Sequence, residues 1–132
     1  METIRMGFIG CGGNARGHIG SVLEMGECEV VALCDSNEGS LQAACERYGE
    51  NVDNLPRFLD YKEMLETVEM DAVQISTPHT LHFEQIMASL DKGLHVLSEK
   101  PMVCTVDHAH QVIAKAEDSE KVLMVSYQRH LG

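Results

Sequence analysis

Unbroken apolar runs recur along this chain, separated by segments of helical spacing, and that alternation constrains its fold more than any other feature. Residues 4–10, 28–34, 71–77, 94–98 and 121–126 read as strands. Their apolar residues are consecutive, not every second one, as in strands buried on both faces of a parallel sheet. Residues 14–25 carry Ala15, Ile19, Val22 and Leu23 at helical spacing. Residues 41–48 are helical and stopped by Gly49. A third helix carries His82, Phe83, Ile86, Met87 and Leu90 on one face and ends near Gly93. Thr105 caps a fourth, running to about Glu117, with Val106, Ala109, Val112, Ile113 and Ala116 on one face. Residues 51–57 are looser and lead into F-L-D-Y-K-E-M-L, read as a short strand or turn and a short helix. The order predicts a doubly wound parallel α/β sandwich of three layers, with right-handed crossovers. No internal repeat or linker is visible, so residues 1–132 are expected to form a single domain.

Bulk properties narrow the partners. Acidic residues outnumber basic ones 21 to 10, and the net charge of −11 repels phosphate backbones. Nucleic acid and anionic membranes are therefore not expected. A small anionic ligand is still allowed, because a few local backbone dipoles can hold it. No apolar run approaches the ~20 residues that span a bilayer, and the N-terminus lacks the basic and apolar regions of a secretory signal. Cys11, Cys28, Cys34, Cys45 and Cys104 show no C-x-x-C spacing and read as reduced thiols packed as small hydrophobes. A cytoplasmic location is expected. Histidines and cysteines fall on different elements, so no metal site is expected.

The first strand meets the first helix at G-F-I-G-C-G-G-N-A-R-G-H. Gly10, Gly12 and Ala15 fit the dinucleotide fingerprint G-x-G-x-x-G/A, and Gly13 and Asn14 complete the loop. Gly10 allows the tight turn, Gly12 lets a pyrophosphate approach the backbone, and Ala15 keeps helix and strand close. Asp35, 20 residues beyond Ala15 at the end of the second strand, stands where the ribose-binding acid is expected. Its charge would repel a 2′-phosphate. Ser36, Asn37 and Glu38 follow, and no basic residue appears until Arg47. The expected cofactor is NAD, with NADP disfavoured. In the alternative, Asp35 rotates away and Ser36 takes the phosphate.

A second signature is more specific: S-T-P-H-T-L-H, then G-L-H-V-L-S-E-K-P-M. Glu99, Lys100 and Pro101 lie at the carboxyl end of a strand, where open α/β sheets bind ligands. Pro101 biases Lys100 toward an extended conformation. Together the two segments resemble the glucose–fructose oxidoreductase and inositol dehydrogenase (Gfo/Idh/MocA) family, with its T-P-x-x-x-H and G-x-H-V-x-x-E-K-P segments. Gly10, Gly12, Asp35, Thr77, Pro78, His82, Gly93, His95, Val96, Glu99, Lys100 and Pro101 match in order and spacing, and the likeness extends to the closing V-S-Y-Q-R-H.

The resemblance implies an oxidoreductase moving a hydride between nicotinamide and a hydroxyl-bearing carbon of a sugar, cyclic polyol or related compound. It implies Lys100 as the catalytic residue in the nicotinamide–substrate pocket, with Glu99 shaping it. Thr77, Pro78, His79 and His82 join the cofactor set. The Lys100–Pro101 peptide is expected to be cis. Relatives carry a second domain that lines the substrate site and makes most oligomer contacts; this chain is expected to lack it and to be inactive alone. Two other functions remain open: a free-standing NAD-binding module without turnover, and the cofactor domain of an NAD-dependent glycosidase. Read from the residues alone, His82 serves equally as a packed structural histidine, His18 is structural, and His108 and His110 are solvated.

Overall fold

The computed structural model describes residues 3–99, 103 and 105–126; for Asn14, His79 and Ser126 it describes the backbone alone. The chain runs β1 (Ile4–Ile9), α1 (Gly13–Glu24), β2 (Cys28–Cys34), α2 (Glu38–Tyr48), a 3-10 turn (Gly49–Asn51), β3 (Arg57–Phe58), α3 (Tyr61–Thr67), β4 (Ala72–Ile75), α4 (His79–Asp91), β5 (His95–Glu99), α5 (Val106–Ser119) and β6 (Leu123–Ser126). All six strands are parallel, in the order β3-β2-β1-β4-β5-β6. The chain builds outward from β1 to β3, returns past β1 and builds outward again. The switch point, where such sheets bind ligands, lies between β1 and β4.

The helix starts follow from capping. Asn37 Oδ1 accepts from Gly39 N at 2.7 Å, Asp60 Oδ1 from Lys62 N at 2.9 Å and Thr105 Oγ1 from His108 N at 3.0 Å. Each satisfies an amide that the first helical turn leaves without a partner. The Asn37 cap is why α2 begins at Glu38, three residues before the start that apolar spacing predicts.

Two cores flank the sheet. On one side Ile9, Val73, Ile75 and Val96 pack against Met64 of α3, Ile86 and Leu90 of α4, and Val112 of α5. On the other, Phe8 and Leu33 pack against Ile19 and Val22 of α1 and Leu41 and Ala44 of α2. Full burial of each large apolar side chain is worth ~1.5–3 kcal/mol, so the strands are fixed from both faces.

The outer helix departs from expectation. Of its apolar face only Val112 is buried, while Val106 is 75% and Ile113 48% exposed. α5 packs mainly on α4, with Val112 and the partly buried Ala116 toward the core, so only a narrow stripe of it meets the core. His108 is not simply solvated: its ring stacks on Phe83 of α4, centroids 3.8 Å apart and planes 14° from parallel.

Candidate functional site

The carboxyl ends of β1, β2 and β4 surround a cleft of about 550 Å³ at the switch point. Gly10 and Gly12 come to it from β1, Asp35 and Ser36 from β2, and Ser76, Thr77 and Pro78 from β4. Leu59 and Leu81 give it apolar walls and are 51% and 42% exposed. An open, partly apolar cleft with polar groups converging on it is the usual form of a small-molecule site.

The glycines are fixed by geometry. Gly10 has φ +98°, and a Cβ there would lie 2.7 Å from the Ser76 carbonyl oxygen, so only glycine fits. Its amide donates to Cys34 O at 2.8 Å, and Ser76 N donates to Ile9 O at 2.8 Å, so the turn is clasped between β2 and β4. Gly12 is the opposite case: a Cβ there would meet nothing within 4 Å. The space above Gly12 is a cradle that any side chain would fill. Gly12 is also the N-cap of α1, without a side-chain cap and with no acidic residue in the first turn. The open amides and the partial positive charge of that helix end suit a pyrophosphate. Arg16 donates to Cys11 O at 3.2 Å, placing a guanidinium beside the loop.

Asp35 is held on both sides. Oδ2 accepts from Cys11 N and Oδ1 from Asn37 N, both at 2.8 Å. A carboxylate has about four lone-pair positions, so it can accept from ribose hydroxyls while bracing the loop. Beneath it, burial pushes the Cys11 and Cys34 thiols up to about 12, Asp35 adding to both shifts. They are packing groups and not nucleophiles at neutral pH. Among the described residues, no group of three histidine, cysteine or carboxylate side chains is arranged to hold a metal ion.

The β4 side is built from side chains. The Thr77 hydroxyl donates to Gln85 Oε1, and a ring nitrogen of His82 lies 2.8 Å from the Thr77 carbonyl oxygen. His82 is fully buried and Gln85 is 4% exposed. His82 therefore lies beneath the cleft lining, against the Thr77 carbonyl. At the end of β5, Glu99 Oε1 lies 3.3 Å from His18 Nε2 of α1. Lys100, Pro101 and the peptide between them lie outside the described residues, as do Cys104, residues 127–132 and the side chains of Asn14 and His79.

The cradle over Gly12, the uncapped helix end and the braced acid together fit a dinucleotide. Residues 4–127 match the family described as an oxidoreductase family with an NAD-binding Rossmann fold. The chain belongs to the Gfo/Idh/MocA family. Its NAD-binding domain is what this chain folds into. The alpha-N-acetylgalactosaminidase of Shewanella oneidensis is 30% identical over the full chain. The WlbA dehydrogenase of Bordetella pertussis, crystallised with NADH and UDP-GlcNAcA, is 31% identical over 95% of the chain with a TM-score of 0.84. The scyllo-inositol dehydrogenase of Lactobacillus casei shares the fold, with a TM-score of 0.85 at 23% identity. The chain spans 30% of the first of these proteins and 37% and 36% of the other two.

Sequence reasoning missed Leu59, Leu81, Gln85 and the reach of His18. Gln85 left a signal, a polar residue three positions after His82 on the inward face of α4. The leucines left none, because their role depends on which loops meet.

Proposed function

We propose that this chain is the cofactor-binding part of an NAD-dependent oxidoreductase acting on a hydroxyl-bearing carbon of a sugar or related compound. The observation that carries the reading is the doubly braced Asp35 beside the uncapped α1 and the open cradle over Gly12. When bound, NAD supplies the hydride chemistry through its nicotinamide. The protein's part is to hold and orient it. The amides at the start of α1 would take the pyrophosphate and Asp35 the adenosine ribose, Leu59 and Leu81 would flank the apolar part of the cleft, and Lys100 would serve the substrate oxygen. Asp35 also selects NAD over NADP, because a 2′-phosphate would meet its charge in a partly desolvated site.

The names of the relatives narrow the substrate class. The Shewanella protein is named for an N-acetylated galactosamine and the Bordetella protein was crystallised with UDP-GlcNAcA. Both carry an N-acetylated hexosamine, which makes such sugars the first candidates. The Shewanella name also favours a second reading, in which the NAD serves a glycosidase. We propose a cytoplasmic location, which the free thiols of Cys11, Cys28, Cys34 and Cys45 support. We propose that association into a homo-oligomer would run mainly through a substrate domain.

The test has two stages. Calorimetry on this chain with NADH is expected to show binding, and an assay over N-acetylhexosamines, other sugars and polyols is expected to show no turnover by the chain alone. In a longer protein carrying a substrate domain, Lys100→Ala should lower turnover more than tenfold, a barrier change above ~1.4 kcal/mol, with cofactor affinity within a few fold. Absence of NADH binding defeats the cofactor role. Unchanged turnover removes Lys100 from the chemistry.

A further inference from the structure

The contact between α1 and β5 joins two parts of the site that are remote in sequence. His18 lies in the second turn of α1, the helix whose N-terminus faces the pyrophosphate cradle. Glu99 is the last residue of β5 and the first of the E-K-P segment. His18 Nε2 and Glu99 Oε1 are 3.3 Å apart, and the two side chains keep 29% and 23% of their exposure. Glu99 Oε1 is itself fully buried and accepts no hydrogen bond among the described residues. A carboxylate oxygen removed from water is costly without a donor or a positive partner. Among the described residues, the His18 ring is the group placed to meet that need.

The dinucleotide's path gives the contact its meaning. Asp35 at β2 sets the adenosine ribose, and α1 sets the pyrophosphate. In a doubly wound sheet the other half of the molecule then extends across the switch point toward β4 and β5. The end of β5 is therefore the nicotinamide side.

We propose that His18 is a positioning residue for the nicotinamide half of the cofactor: through Glu99 it ties the end of β5 to the helix that holds the pyrophosphate. The position of Glu99 at the end of β5 then depends on a half-buried histidine of α1. His18 need not touch the cofactor. Its ring nitrogen stands 3.3 Å from the carboxylate and keeps Glu99, and the strand end bearing it, in one place. The inference rests on the NAD-binding role, and its test separates the two.

The experiment compares NADH with ADP-ribose, which is the same ligand without nicotinamide, by calorimetry on this chain. His18→Leu is expected to weaken NADH roughly tenfold, about 1.4 kcal/mol, and to leave ADP-ribose within about twofold. His18→Gln, which can offer an amide proton near the position of Nε2, should restore NADH to within about threefold of wild type. The wild-type protein gives a readout that needs no variant. The ring nitrogen resonances of His18 should shift when NADH is added and stay in place with ADP-ribose. Equal losses for both ligands, or a Gln variant as weak as the Leu variant, would mean that His18 is merely structural. Ring resonances indifferent to NADH would overturn the proposal even if His18→Leu fails to fold. Failure of wild type to bind either ligand would instead defeat the cofactor role.

Discussion

The two sides of the cleft are held by different kinds of bond. On the β1–β2 side, backbone amides do the holding: Gly10 N to Cys34 O, and Cys11 N and Asn37 N to the two oxygens of Asp35. On the β4–β5 side, one backbone bond, Ser76 N to Ile9 O, is joined by contacts between side chains or from a side chain to a carbonyl: Thr77 to Gln85, His82 to Thr77 O, His18 to Glu99. A backbone clasp has few ways to relax. A side-chain contact can be replaced or repacked. The first side should therefore behave as a rigid platform and the second as the adjustable part of the site.

Gly10→Ala tests the platform most severely and carries the largest expected effect. The positive φ costs roughly 1–3 kcal/mol for a non-glycine residue, and the new Cβ would press on the Ser76 carbonyl. Denaturant melts should show that loss, and NADH and ADP-ribose binding should fail together. Retention of either ligand's affinity would show that the platform yields.

Asp35→Ala comes next. Wild type should favour NADH over NADPH by at least tenfold, about 1.4 kcal/mol. The variant should lose most of that preference. Because Cys11 N and Asn37 N lose their acceptor, its absolute NADH affinity should also fall and Cys11 N–H should exchange faster. A variant that merely gains NADPH, with Cys11 still protected, would mean that the clasp does not depend on the acid.

Gln85→Leu probes the adjustable side. It leaves the Thr77 hydroxyl without its acceptor, a loss of ~1 kcal/mol in stability, and should lower NADH affinity only severalfold. A loss as large as that of Gly10→Ala would erase the contrast between the two sides.

The smallest effect belongs to a pair at the far end of the sheet. Arg5 Nη2 lies 3.2 Å from Asp71 Oδ1, and both side chains are about 40% exposed. The hydrogen bond from Arg5, with help from its charge, holds the Asp71 carboxyl below the usual range. A carboxyl lowered on folding stabilises above its unfolded pKa of ~3.9 and loses that contribution as the pH falls through its folded value. Asp71→Asn should lower the melting midpoint slightly near neutral pH, by less than Gln85→Leu, and the two melts should begin to converge below about pH 3.9 and meet once the pH has passed the lower, folded value. NADH binding should not change. A pH-independent difference would mean that the charge of Asp71 plays no part.

The same contrast decides what could be read from the sequence. Gly10, Gly12, Ala15 and Asp35 lie within one strand–helix–strand unit, so spacing alone placed them. The parallel sheet followed from five unbroken apolar runs, whereas the two-residue β3 left only a looser stretch. Glu99 was legible as part of a motif, but its partner was not: His18 comes from the other end of the chain, and only the closed sheet brings the two together. The stacking of His108 on Phe83 was invisible for the same reason. Conversely, Val106 and Ile113 fit an apolar helical face but are exposed, because periodicity identifies a stripe and not how much sheet lies beneath it.

The double duty of Asp35 limits how this domain could change over evolution. A lineage adapting to a cofactor with a 2′-phosphate must remove the acid that repels it. The same change leaves two backbone amides without their acceptor: water can replace it at the exposed Asn37, but Cys11 N lies partly buried, and a buried amide left unpaired costs ~1–3 kcal/mol. A serine has one oxygen where the carboxylate has two, so it can replace at most one of these bonds well. An arginine farther along the loop would attract the phosphate and mend neither. The shortest route thus passes through an intermediate with a loosened glycine loop that binds both cofactors poorly. Selection would keep that acid even if the adenosine ribose never needed it.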